Sequence, residues 1–145
     1  MTEAFMNFDP SYRHLDTALM YSGGKSEAII GDMASWREVG GLVDDKINPW
    51  DKKNFGEESI RSQVDTCLSR LKSPSMEILY LHAPDHSTPL ETTLRVMDTL
   101  HKEGKFKQLG LSNYSSWLVS EVVNICKVGF SVVRRVSGKF ISCFV

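Results

Sequence analysis

The stretch LVDDKINPWDKKNFGEESIRSQVDTCLSRLK, residues 42–72, carries two periodicities in succession. Residues 42–47 have the length and apolar ends of a strand. From 57 to 72, Ile60, Val64, Cys67, Leu68 and Leu71 recur at helical spacing and form one apolar stripe, which predicts an amphipathic helix. A strand followed by such a helix is one βα unit.

The unit repeats in both directions. Residues 14–18 read as a strand and 26–36 as a helix. Residues 78–81 read as a buried strand. Thr88-Pro89-Leu90-Glu91 then predicts a helix start with a capping box and a proline at the first helical position. Leu90, Leu94, Met97 and Leu100 supply that helix with a buried face, and Gly104 stands where a terminating glycine belongs. Residues 107–112 make the fourth strand, and Ser115 is placed to cap a last helix reaching about residue 127. Four consecutive βα units imply an α/β fold with parallel strands. Periodicity leaves an open doubly wound sheet and part of a (βα)8 barrel both standing. Tyr21-Ser22-Gly23-Gly24-Lys25-Ser26 lacks the spacing of a dinucleotide or phosphate loop and reads as a turn before a helix, which favours the barrel.

The chain has 145 residues, 41% hydrophobic and 24% charged, enough for one core. Its net charge of −1 gives no electrostatic case for nucleic acid or an anionic membrane. No apolar run is long enough to span a bilayer, and residues 1–12 lack the basic start and apolar stretch of a signal peptide. Cys67, Cys126 and Cys143 are odd in number and widely spaced, which predicts reduced thiols in a cytoplasmic protein. His82 and His86 are four apart, but Pro84 between them forbids a metal-binding helix, so no metal is expected.

In βα barrels the chemistry sits at the carboxyl ends of the strands. Asp16, Lys46, His82 and the pair Ser112-Asn113 end the four strands at successive offsets of 30, 36 and 31 residues. Each has an ordinary reading alone, as a helix cap, a surface lysine or a core histidine, but together they would meet at one rim. Tyr21 lies five residues past Asp16 in the loop leaving the same strand. A tyrosine hydroxyl is a poor acid at neutral pH, and a neighbouring ammonium favours its phenolate. These side chains suit the protonation of a carbonyl during its reduction.

The segments Leu15-Asp16-Thr17-Ala18-Leu19-Met20-Tyr21, Lys46-Ile47-Asn48-Pro49-Trp50, Leu81-His82-Ala83-Pro84-Asp85-His86 and Gly110-Leu111-Ser112-Asn113-Tyr114 resemble the aldo-keto reductase superfamily. In detail they are most similar to its aflatoxin-aldehyde reductase branch. The resemblance runs from about residue 18 to 127 and implies a (βα)8 TIM barrel that reduces aldehydes and ketones with NADPH. The branch's substrates include dialdehydes and succinic semialdehyde. It implies Tyr21 as proton donor, Lys46 as the cation that assists it, and Asp16 as the lysine's partner beside the cofactor. His82 would orient the substrate carbonyl, Ser112 and Asn113 would hold the nicotinamide carboxamide, and Trp50 would wall the pocket.

Several features depart from that pattern. Residues 1–12 do not read as the strand and helix expected before Asp16, and four βα units are about half of a barrel. Residues 128–145 hold Arg134, Arg135 and Lys139 with no acidic residue and read as a divergent tail after a reductase segment of 1–127. These features lead to the expectation that the chain alone binds NADPH weakly, two copies sharing one barrel as a homodimer being the assembly that would restore binding. Asp44 should share the inward face with Lys46, pair with it and weaken its action on Tyr21. The competing function is a non-catalytic interaction protein on the same scaffold, as in potassium-channel β subunits, or an inactive truncated form. His82 argues against the channel-subunit pattern, which carries a different residue there.

Overall fold

The computed structural model describes residues 13–130. The features read in 1–12 and nearly all of the divergent tail lie outside them. Four strands, β1 (His14–Asp16), β2 (Leu42–Ile47), β3 (Met76–Leu81) and β4 (Phe106–Leu111), form one parallel sheet in chain order. Between and after them run α1 (Ser26–Asp32), α2 (Ala34–Glu38), α3 (Glu57–Leu71), α4 (Leu90–Lys102) and α5 (Ser116–Gly129). A sheet ordered β1-β2-β3-β4 with each strand followed by helix is the arrangement of successive units in a βα barrel.

The core lies between the sheet and its helices. Ile60, Val64 and Cys67 of α3 and Leu94, Met97 and Leu100 of α4 close over Ile47, Leu79 and Leu81, all sealed from solvent. Sealing each large aliphatic side chain contributes about 1.5–3 kcal/mol. The pleat turns Val43, Asp45, Ile47, Leu79 and Leu81 toward the helices. It turns Asp44, Lys46 and Tyr80 the other way.

Three local expectations need correction. The helix read over 26–36 breaks at Met33, whose ψ of 78° is not helical, into α1 and α2. The break turns Trp36 into the interior, where its indole nitrogen donates to the Leu42 carbonyl at 3.2 Å. That burial outweighs one unbroken helix. The capping box at Thr88 does not form: Pro89 occupies the cap position, and the Thr88 side chain is spent on Asp85. Ser115 does occupy the cap position of α5, in extended conformation, but makes no side-chain cap bond, and α5 continues to Gly129. Gly104, at a φ of +77°, follows the end of α4 where it was expected.

Candidate active site

At the carboxyl edge of the sheet, hydrogen bonds between successive strand ends set the rim. The Leu19 amide donates to the Lys46 carbonyl, the His82 amide to Ile47, and the Ser112 amide to Leu81, at 2.9–3.1 Å. The ends of all four strands therefore stand side by side.

Lys46 is the centre of the group. Its side chain is 6% exposed, and its Nζ donates to the Asp16 carboxylate at 2.5 Å and to the Thr17 carbonyl at 2.9 Å. The same nitrogen lies 5.3 Å from the centre of the Tyr21 ring and 5.4 Å from that of Tyr80. An ammonium held against two aromatic faces gains about 0.5–2 kcal/mol from each, the more when water is excluded. The carboxylate supplies its counter-charge.

Tyr21 reaches this position through a tight turn. Its amide donates to the Ala18 carbonyl at 2.9 Å, and Ser26 Oγ donates back to its carbonyl. Ser22 and Gly23, both in the left-handed region, carry the chain into α1. Thr17 Oγ1 and Ser26 Oγ share a hydrogen bond of 2.8 Å that ties the strand end to that helix. Tyr21 as a residue is 40% exposed, so this side of the group is open to solvent.

His82 stands opposite. Its ring packs edge-on against Tyr21 at 5.9 Å and lies tilted against Trp50 at 5.0 Å. Burial, reinforced by the Lys46 ammonium and opposed by Asp16, lowers its pKa, so the imidazole is neutral at physiological pH. Its Nδ1 is enclosed with no hydrogen-bond partner among the described residues. Trp50 is positioned by Asn48, whose Oδ1 accepts from the Trp50 amide, while Gln63 of α3 accepts from the Asn48 amide.

Asn113, in left-handed conformation, donates from Nδ2 to the His82 carbonyl at 2.7 Å and to Ser112 Oγ at 3.1 Å. One amide thus joins the ends of β3 and β4. Asp85 braces the outer rim by accepting from the Phe55 amide at 2.7 Å and from the amide and hydroxyl of Ser87. Burial works against its charge, but those bonds and one from Thr88 hold its carboxyl down at about 2.

The structure thus gathers Asp16, Tyr21, Lys46, His82 and Trp50 and sets Ser112 and Asn113 beside them. The reading of Asp44 is corrected. It is buried on the inward face as expected, but it pairs with His14 Nδ1 at 2.9 Å and accepts from the Ile78 amide at 3.1 Å. Lys46 instead extends toward the strand end, to Asp16. Burial raises the Asp44 pKa, with the His14 contact opposing it.

Tyr80 is the neighbour of Lys46 that sequence reading missed. It precedes His82 by two on the same face, which was the available signal. Its ring fits because Gly110 faces it across the register: a β-carbon there would lie 2.2 Å from the ring.

A parallel βα sheet with a Tyr-Lys-Asp-His group on its carboxyl rim defines the class of the βα-barrel proteins. The Aldo/keto reductase family model matches residues 4–136, and the chain belongs to that family. It is 49% identical over 119 residues to aflatoxin B1 aldehyde reductase member 2 of Homo sapiens, covering 80% of this chain and 33% of that protein. It is 43% identical over 130 residues to the human member 4, covering 88% of this chain and 39% of that one.

Among solved structures, the thermostable aldo-keto reductase Tm1743, in complex with epalrestat, superposes with a TM-score of 0.74 at 27% identity. That match covers 86% of this chain and 43% of the other. An aldo/keto reductase from Klebsiella pneumoniae, in complex with NADP and acetate, gives 0.65 at 26% identity, over 79% and 38%. The chain therefore spans between a third and two fifths of the length of these curated relatives. Among the described residues no helix is long and apolar enough to cross a membrane.

Proposed function

We propose that this chain supplies the acid-base half of an NADPH-dependent carbonyl reductase site, acting on small aldehydes and ketones of the dialdehyde or succinic semialdehyde type in the cytoplasm. The observation that carries the reading is the Lys46 ammonium fixed between Asp16 and the Tyr21 ring, with a neutral His82 facing it.

NADPH, when bound, supplies the hydride that attacks the carbonyl carbon. The residues here manage the oxygen. Tyr21 delivers a proton to it as negative charge develops, and Lys46 stabilises the phenolate left behind. His82 remains neutral and donates one hydrogen bond to the same oxygen, orienting the carbonyl.

Ser112 and Asn113 fit the nicotinamide carboxamide. With Asn113 Nδ2 donating to Ser112 Oγ, the serine proton is available to the carboxamide oxygen and Asn113 Oδ1 to its amide. Asp16, 54% exposed beside Lys46, would face the cofactor as the resemblance implies. Among the described residues the site gathers no phosphate-gripping side chains, which supports the expectation that the chain alone neither binds NADPH tightly nor turns over substrate. Two or three missing charge-assisted bonds remove about 3–9 kcal/mol.

The test joins this chain in frame to the second half of the human member 2 reductase and follows NADPH oxidation with succinic semialdehyde. The chimera should be active, and Tyr21→Phe should lower its rate at least about 100-fold with cofactor affinity nearly unchanged. A folded, NADPH-binding Tyr21→Phe chimera within a few-fold of the parent would refute the assignment.

A further inference from the structure

On the helix-facing side of β2, away from the rim, three side chains from three elements converge: Glu27 of α1, Asp45 of β2 and Cys67 of α3. All are fully buried, and their ligand atoms lie within 4.8 Å of one another. Some of their capacity is used. Arg70 donates to Glu27 Oε2 at 2.8 Å, and the Lys46 amide donates to Asp45 Oδ1 at 2.7 Å. Glu27 Oε1 and Asp45 Oδ2 are left enclosed, facing each other and the Cys67 thiol, with no cationic or backbone donor among the described residues.

Two carboxylate oxygens sealed beside a thiol need positive charge or a proton between them. The packing that creates this is tight: a β-carbon on Gly31 would lie 2.1 Å from the Arg70 carbonyl, so only glycine lets α1 approach α3 this closely.

We propose that Glu27 Oε1, Asp45 Oδ2 and the Cys67 thiolate form a buried site for one divalent cation of zinc's class. A thiolate with two carboxylates suits zinc and is foreign to calcium or magnesium. The charges close as well. Two carboxylates and a thiolate are balanced by Arg70 and one divalent ion.

The same neighbourhood explains why the metal-free groups hold protons. Burial, with the adjacent acids, raises both the Asp45 carboxyl and the Cys67 thiol. Zinc must therefore displace protons from this cluster as it enters. The cation would fasten α1 to β2 and α3 directly behind the Tyr21 turn, without touching the site. Cysteine spacing could not reveal such a site, because the ligands come from three separate elements.

The test uses the full 145-residue chain, freed of metal by chelation. Zinc titrated by calorimetry at pH 7, in two buffers of different ionisation enthalpy, should bind at one site with micromolar or tighter affinity and release about two protons. Cobalt should produce a thiolate charge-transfer band in the near ultraviolet, a readout that needs no variant. Cys67→Ser should abolish the band, and Asp45→Asn should weaken zinc binding at least tenfold, while Cys126→Ser leaves both intact. Absence of saturable zinc binding by the folded chain overturns the proposal, as does a cobalt band that survives in Cys67→Ser. The carboxylates would then share a single proton, and Asp45→Asn would stabilise the chain rather than cost it a ligand.

Discussion

Asp44 and Asp45 are consecutive, identical in type and both buried, yet they occupy different regions of the molecule. Asp44 faces inward with Lys46 and closes on His14 and the Ile78 amide. Asp45 faces the helices and meets Glu27 and Cys67. The difference teaches that a pleated strand separates neighbouring charges by about two side-chain lengths, so each must be balanced by its own surroundings. Lys46, one residue on, adds a third solution at the rim, where a half-exposed carboxylate meets an enclosed ammonium. The inward face and rim pair charge between β1 and β2, and the chemistry proposed above draws on the rim. The helix face must neutralise it.

The largest effect that would test this division is at the rim. In the chimera, Lys46→Met should cost about 10²–10⁴ in rate, or about 3–5 kcal/mol of transition-state stabilisation. Asp16, being half exposed, should tolerate the loss of its partner, so the urea midpoint should move little. A large fall in stability with a small fall in rate would show that Lys46 belongs with the structural charges instead.

A smaller effect is expected beneath the rim. Asp44→Ala leaves the Ile78 amide and His14 without their acceptor and should cost about 1–3 kcal/mol by equilibrium denaturation. The rate of the chimera should stay within about threefold. A rate increase that follows pH would mean that Asp44 does act on Lys46, and would erase the distinction drawn above.

The smallest effect concerns Asp85 on the outer rim. Its carboxyl sits at about 2 in the fold against an ordinary 3.8, so its contribution is present above about pH 4 and lost as pH falls through 2. Discounted for solvent screening, this amounts to about 1 kcal/mol. Denaturation of parent and Asp85→Asn should differ at pH 6 and converge near pH 2; a constant difference across that range would assign the effect to shape rather than charge.

Alternation of strand and helix was legible because hydrophobic period is a local property. The stripe on α3 and the length of β2 need no knowledge of neighbours, and both match the structure. The rim residues were legible for a related reason. A repeating βα unit converts sequence offset into position, so residues about one unit apart arrive at one edge.

What the sequence could not decide was where each polar group would find its partner. Thr88 had the residue type for a cap, but its side chain bonds Asp85 instead. The 26–36 segment had helical periodicity throughout, but burying Trp36 required a break at Met33. Asp44 had the correct face for Lys46, but His14 on the neighbouring strand took it. Glu27, Asp45 and Cys67 share no spacing at all, and only the packing of α1 and α3 against β2 brings them together. Local periodicity fixes which face a side chain takes, because backbone geometry is short-ranged. Partner choice depends on distances across elements that exist only after the chain has folded.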